Sequence, residues 1–305
     1  YAEDPQVEFL PSIGTLHQLA FGPGLRVDTG VKTGGVVSPF YDPMIAKLIA
    51  TGPDRATALQ RLLRGLKLTQ IAGVKTNRDF LIALLQHPEF VTGHFDTGLI
   101  GRDLSSLIDV LAPSPEDWAL GALAAMELPA PGPEAALQGF TLFIPLRQQM
   151  ILTCQDETKR LQVSLNGPHA SVVVEAETVS LLRGAKGWCV VGSPQTTAIF
   201  AARKAYVFSA QTFVFECLDP LDRTALVENN GAIVAPMPGL VKQVFVSNGQ
   251  KVVEGDPIVV LEAMKMQHTL RAAEAGQVQQ LTVQENTQVD AGQVMAVIIP
   301  SDQCE

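Results

Sequence analysis

The chain has 305 residues, of which 47% are hydrophobic and 17% charged, and its formal net charge is −9. That length gives room for two or three domains with buried cores. The acidic balance, with no basic cluster, argues against a nucleic-acid partner. No apolar run reaches the roughly 18 residues that suggest a membrane span, so no membrane partner is expected. Cys154, Cys189, Cys217 and Cys304 are widely separated, with no Cys-x-x-Cys. They read as buried or incidental free thiols in a reducing compartment, and no metal site is expected. The chain opens on Tyr1 rather than Met and in mid-pattern, as if the numbering starts inside a longer protein, so no targeting peptide can be judged.

In chain order, Pro11 to Leu16 reads as a turn into a strand, 24–30 as a short strand closed by Gly30, and 34–41 as a further turn and strand. An apolar strand follows in 42–50, with Lys47 in its middle. Asp54 is placed to cap a helix over 55–68, in which Ala58, Leu59, Leu62, Leu63 and Leu66 form a stripe. A second helix is predicted over 77–86, stopping before Pro88. Ser114-Pro115-Glu116-Asp117 is a helix start, with a cap, a proline at the first position and acids at the positive end of the dipole. That helix is expected to run to Leu128, and 118–126 is apolar nearly all round, so it must be buried on most sides. Strands are then predicted over 140–153, 160–166, 170–183, 187–192, 196–202 and 205–217. A buried helix followed by antiparallel strands suggests a barrel or curled sheet around the helix. Residues 227–231 are polar and glycine-ended and read as a linker.

The last block contains an internal repeat. Gly239, Val241, Val246, Val252, Gly255 and Val260 fall on Gly276, Val278, Val283, Val289, Gly292 and Val297 without a gap, at an offset of 37 residues. Each copy alternates apolar and polar residues between turn residues, which predicts two small sheets related by a pseudo-twofold. Lys265 lies between the copies, bracketed by Met264 and Met266, where one half hands over to the other in a tight hairpin. A lysine there has its ammonium in water and its backbone held by strands, as suits presentation to another protein's active site. The bland reading is an exposed hairpin lysine with incidental methionines. His268 reads as an ordinary strand residue.

Ala263-Met264-Lys265-Met266, with Ala235-Pro236-Met237-Pro238-Gly239 before it, resembles the biotinyl domain of biotin-dependent carboxylases over about 65 residues. Lipoyl domains share that fold, but usually flank their lysine with Asp and Ala. The first block resembles the C-terminal lobe of biotin carboxylase, an ATP-grasp enzyme. The matching residues are Tyr1 to Pro5, Phe9 to Ser12, Arg26-Val27-Asp28, Ser38 to Ile49 and Gly73 to Asn77. Between them, the middle block resembles by position the subunit-docking domain of acyl-CoA carboxylase α subunits. The fold class so implied is multidomain α+β. An ATP-grasp C-terminal lobe occupies 1–110, a helix-in-antiparallel-β-barrel domain 111–226, a linker 227–231 and an all-β flattened-barrel biotinyl domain 232–300.

The resemblance implies covalent biotin on Lys265, flanked by Met264 and Met266, and a catalytic Arg26 that steadies the biotin enolate. A guanidinium suits that task because it is always charged and offers two donors. ATP and Mg2+ are implied at a site upstream. The family's phosphate loop, nucleotide lysines and metal-binding glutamates have no counterpart in these 305 residues, which are not expected to hydrolyse ATP alone. The implied partners are a carboxyltransferase β subunit in an α/β hetero-oligomer, biotin protein ligase, and an acyl-CoA held by the β subunit. A cytoplasmic location is implied for a bacterial protein and the mitochondrial matrix for a eukaryotic one. The compact middle block favours 3-methylcrotonyl-CoA, with geranyl-CoA and propionyl-CoA as rivals. A non-catalytic carrier or scaffold and a lipoyl-bearing dehydrogenase component are the readings from other classes.

Overall fold

The computed structural model describes residues 1–128, 146–184, 187–192, 196–217, 232–263 and 266–300. The first part contains strands β1 (Glu3–Asp4), β2 (Leu10–Pro11), β3 (Gly14–Thr15), β4 (Gln18–Ala20), β5 (Arg26–Thr29), β6 (Val36–Val37), β7 (Ala46–Ile49) and β8 (Gln70–Ala72). They pair antiparallel as β1 with β2, β3 with β6, β4 with β8 and β5 with β7. Ala2, Leu16, Val37 and Ile45 are buried between them. Helix α1 (Arg55–Lys67) begins where expected, because the Asp54 carboxylate accepts the Thr57 N–H at 2.7 Å. Its leucine stripe packs on Ile82 and Leu85 of α2 (Arg78–Gln86).

Two further helices, α3 (Pro88–Thr92) and α4 (Leu99–Leu107), were not anticipated from sequence. Pro88 ends α2 but also opens α3, because a proline at the first helical position gives up no N–H that the helix needs. His87 between the two helices is extended. Helix α4 has no side-chain cap and departs from helical geometry at Asp103, so its sequence carries little helix signal.

Helix α5 (Pro115–Ala125) starts with a full capping box: Asp117 N–H donates to Ser114 Oγ at 3.2 Å, and Ser114 N–H donates to Asp117 Oδ2 at 2.9 Å. It ends at Ala125, short of the expected Leu128, and Glu127 takes a left-handed φ of 46°. Eight strands surround it: β9 (Leu146–Cys154), β10 (Glu157–Asn166), β11 (His169–Val174), β12 (Glu177–Gly184), β13 (Gly187–Val190), β14 (Thr197–Ala201), β15 (Lys204–Phe208) and β16 (Thr212–Cys217). They form one antiparallel sheet in the order β13-β12-β11-β10-β9-β16-β15-β14. Helix α5 touches all eight strands, and the outermost pair, β13 and β14, meet each other, so the sheet curls into a barrel around the helix. Trp118, fully buried, packs edge-on to Phe215 with centroids 4.9 Å apart.

Two expected single strands are each two. The expected strand over 170–183 turns at Glu175, with φ 55°, and that over 205–217 is broken by 209–211. Neither break carries the Gly, Pro or Asn that usually marks a turn. Residues 140–145 of the strand expected over 140–153, and the whole of the linker expected over 227–231, lie outside the described residues.

The first part and the barrel share a real interface. Arg78, 3% exposed, donates to the carbonyls of Leu66 and Lys67 within the first part and to Thr212 Oγ1 of the barrel at 3.2 Å. Ala72 is buried with Tyr206 and Phe208, and Gln70 donates to Thr197. Both sides of the Arg78 guanidinium are thereby used, which compensates the burial of its charge.

The repeat emerges strand by strand. Strands β17 (Ala232–Val234), β18 (Gly239–Val244), β19 (Lys251–Val252), β20 (Pro257–Ala263), β21 (Met266–Arg271), β22 (Gly276–Leu281), β23 (Gln288–Val289) and β24 (Val294–Pro300) form two four-stranded sheets, ordered β17-β24-β22-β19 and β21-β20-β18-β23. The bounds of β18, β19 and β20 recur in β22, β23 and β24 at the same 37-residue offset. Each copy carries the register shift of a bulge at its matching position, between Val241 and Gln243 and between Val278 and Gln280. The left-handed turn residue of one copy, Gly249, has Asn286 as its counterpart. Each sheet takes strands from both copies, as in the pairings of β18 with β23 and β19 with β22. One core, with Val241, Ile258, Leu261, Val278, Met295 and Ala296 at its centre, therefore closes both halves.

Candidate functional site

The hairpin between the repeat copies is the first candidate. Strands β20 and β21 run antiparallel in register from Val259 with Leu270 to Ala263 with Met266. Only Met264 and Lys265 connect that last pair in the chain, and both lie outside the described residues. For Met266 only the backbone, as the first residue of β21, is described. His268 pairs with Leu261 inside the ladder, as an ordinary strand residue does. The base of the hairpin is held tightly. A Cβ on Gly239 would lie 2.9 Å from the Glu262 carbonyl oxygen and 3.5 Å from Ala263 Cβ, so only glycine lets β18 approach β20 there. Glu262 also forms an ion pair with Lys242 at 3.3 Å. A two-residue connection closed by a full ladder fits a covalently carried group, because it fixes the backbone on both sides of the lysine.

The second candidate is Arg26, first residue of β5. Its side chain is exposed at 72% and grips Asp28 with two parallel bonds, Nε to Oδ1 at 3.1 Å and Nη2 to Oδ2 at 2.9 Å. Residues i and i+2 of a strand share a face, which brings this pair together. The hydrogen bonds from Arg26 hold the Asp28 carboxyl below the usual carboxylate range, and Asp28 raises the Arg26 guanidinium above its ordinary value. Lys47 stands opposite Asp28 in register on β7 and adds to the same effect. The bidentate grip orients the guanidinium plane and leaves Nη1 without a hydrogen-bond partner among the described residues. Asp28 belonged to the quoted match, but its role as the carboxylate that orients Arg26 was not read from it. The two-residue spacing on one strand is the signal that could have shown it.

A third feature has no counterpart in the sequence reading. Leu10 of β2 is buried together with Met237 and Ala263, so the first part touches the base of the lysine hairpin. Among the cysteines, Cys154 is buried and Cys189 half-buried, both as free thiols, and Cys217 is half-buried. No helix among the described residues is long and apolar enough to cross a membrane.

Residues 1–102 match the biotin carboxylase C-terminal domain family, and residues 231–298 match the biotin-requiring enzyme family. The chain is 32% identical over 341 residues to the mitochondrial methylcrotonoyl-CoA carboxylase subunit alpha of Dictyostelium discoideum, covering 98% of this chain and 48% of that protein. It is 29% identical over 323 residues to the propionyl-CoA carboxylase alpha chain of Ruegeria pomeroyi, covering 90% of this chain and 47% of that one. Among solved structures, the biotin carboxylase domain of Hydrogenobacter thermophilus 2-oxoglutarate carboxylase is 34% identical at a TM-score of 0.35, over 36% of this chain and 25% of that one. The chain spans about half the length of the curated relatives it matches. The chain thus joins in one polypeptide a region similar to the biotin carboxylase C-terminal domain and a region similar to the biotin-requiring enzyme family.

Proposed function

We propose that these residues form the C-terminal part of the α subunit of a biotin-dependent acyl-CoA carboxylase. On this reading 1–110 is the end of the biotin carboxylase domain, 111–226 docks a carboxyltransferase β subunit, 227–231 is the tether and 232–300 is the carrier. The observation that carries the reading is the strand-by-strand repeat, with only Met264 and Lys265 between its paired strands. The alignment to methylcrotonoyl-CoA carboxylase subunit alpha supports the middle block as well, because it runs over 98% of this chain.

Lys265 is the attachment point. Its amine forms the amide to the biotin side chain during modification by biotin protein ligase, and does no acid–base work afterwards. Biotin, when bound, supplies a ureido nitrogen that takes up and gives away a carboxyl group. The chain's own residues hold and move that group. Met264 and Met266 flank the lysine, and Arg26 offers its free N–H groups to the ureido oxygen, with Asp28 keeping the guanidinium in plane. ATP, Mg2+ and bicarbonate belong to the upstream part of the full protein. The tether keeps the carrier at a high effective concentration near both sites. The second site lies on the β subunit, and the assembled enzyme is an α/β hetero-oligomer.

The substrate is 3-methylcrotonyl-CoA, with geranyl-CoA as the rival. The 29% identity to a propionyl-CoA carboxylase alpha chain keeps propionyl-CoA as the second reading. The location is cytoplasmic in a bacterium and the mitochondrial matrix in a eukaryote. The test is to co-purify the full-length chain from its host with its partner and assay ATP-dependent fixation of labelled bicarbonate against the three acyl-CoAs. Preferred turnover of 3-methylcrotonyl-CoA is expected, and preferred turnover of propionyl-CoA transfers the assignment. A biotinylated chain that fixes no bicarbonate with any acyl-CoA would leave a non-catalytic carrier.

A further inference from the structure

The segment Glu8-Phe9-Leu10-Pro11 is built in an unusual way. A short 3-10 turn, Pro5–Val7, is opened by the Asp4 carboxylate, which accepts the Gln6 N–H at 3.0 Å. The next two residues, Glu8 and Phe9, both take left-handed conformations, with φ of 50° and 58°. Neither is glycine, so each holds a conformation that L side chains rarely adopt. Consecutive strained residues persist only where surrounding contacts hold them. Two contacts do so. Phe9 packs edge-on against the buried Phe80 of α2, with centroids 5.2 Å apart, and Leu10 goes the other way, into a buried cluster with Met237 and Ala263. The strain thus divides adjacent side chains between the lobe's interior and the carrier.

The carrier side of this contact is specific. Ala263 is the last residue of β20, directly before Met264 and Lys265, and Met237 sits in the turn entering β18. Leu10, Met237 and Ala263 are 8%, 2% and 6% exposed, so water is excluded from all three. The counterpart of Ala263 at the other end of the carrier is Pro300, the last residue of β24. The seat lies against the lysine end of a nearly symmetric domain.

We propose that Leu10 is a resting seat on the carboxylase lobe that holds the base of the carrier's lysine hairpin between excursions. A contact of three apolar side chains biases the carrier toward the lobe and can still release it, because apolar burial scales with the area covered. The inference rests on the reading of 232–300 as a mobile carrier.

The test is hydrogen exchange by mass spectrometry on the full-length biotinylated chain, comparing it with Leu10→Asp and Leu10→Ala. Peptides over 257–271 report the hairpin, 294–300 the symmetry-related strand, and 55–67 the lobe. In Leu10→Asp, exchange over 257–271 is expected to rise at least about threefold while 294–300 and 55–67 stay unchanged, as for loss of a local contact. No change over 257–271, or an equal rise over 294–300, would overturn the seat. If Leu10→Asp loosens 55–67, Leu10→Ala decides by the same criterion. Streptavidin blotting of the same samples separates the two claims, since absent biotin would refute the carrier reading and leave the exchange result to judge the contact.

Discussion

Replacing Gly276 with alanine tests whether the repeat governs packing as well as sequence. The added methyl would overlap the Ile299 carbonyl oxygen and press on Ile298 Cγ2 at 2.7 Å. At the matching position Gly239 the nearest atom is the Glu262 carbonyl oxygen at 2.9 Å. Both obstructing carbonyls belong to a paired strand, β24 or β20, and cannot turn away without disturbing that pairing. Neither glycine has a left-handed φ, so the contact alone decides. Overpacking of this kind costs about 1–3 kcal/mol. The lower unfolded-state entropy of alanine offsets about 0.4–1 kcal/mol of it. Taking the upper part of the range for Gly276 and the lower for Gly239, the net losses are about 2 and at most about 1 kcal/mol, with tenfold in equilibrium for each 1.4 kcal/mol. Residues 232–300 contain neither Trp nor Tyr, so optical probes would report other parts of the chain. Hydrogen exchange over β20, β22 and β24 in the intact chain is the suitable assay. Gly276→Ala is expected to accelerate exchange in all three strands more than tenfold, and Gly239→Ala several-fold less. Equal effects, or none at Gly276, would refute the close-approach argument.

Three other outcomes follow from the same structure. Burial pushes the Cys154 thiol up to about 11, so iodoacetamide at pH 8 should label Cys189 in the native chain and reach Cys154 only after denaturation; rapid native labelling of Cys154 would show the barrel to be open. Ser114→Ala removes the capping box of α5 and should lower barrel stability by about 1 kcal/mol, read from the urea midpoint of the combined fluorescence of Trp118 and Trp188, both in the barrel, and an unchanged midpoint would count against the cap. In the full-length protein, Arg26→Ala should slow ATP-dependent biotin carboxylation by about a hundredfold or more, the usual scale for losing one donor to a developing oxyanion. Biotin attachment should be unaffected, and an unchanged carboxylation rate would remove Arg26 from the mechanism.

Legibility in the sequence tracked how local the determining physics was. Asp54 and Ser114 announced α1 and α5 because a cap is decided within four residues. The carrier was readable in most detail because its two copies check each other, down to paired bulges at matching positions. The breaks at 175–176 and 209–211 were missed because ordinary side chains make those turns, with Glu175 in a left-handed conformation that nothing in its neighbours requires. Helices α3 and α4 were missed because Pro88 serves as both a stop and a start, and because α4 lacks a cap. The Asp28 grip on Arg26 was available from strand spacing. The contact of Leu10 with Met237 and Ala263 was not, since it joins positions more than two hundred residues apart.

The central claim is that Lys265 carries biotin. Intact mass together with streptavidin blotting, on the chain from its native host beside Lys265→Arg, tests it directly. The account predicts a biotin-sized adduct on the wild-type chain that the variant lacks. A lipoyl-sized adduct, no adduct, or one that persists in Lys265→Arg would contradict it.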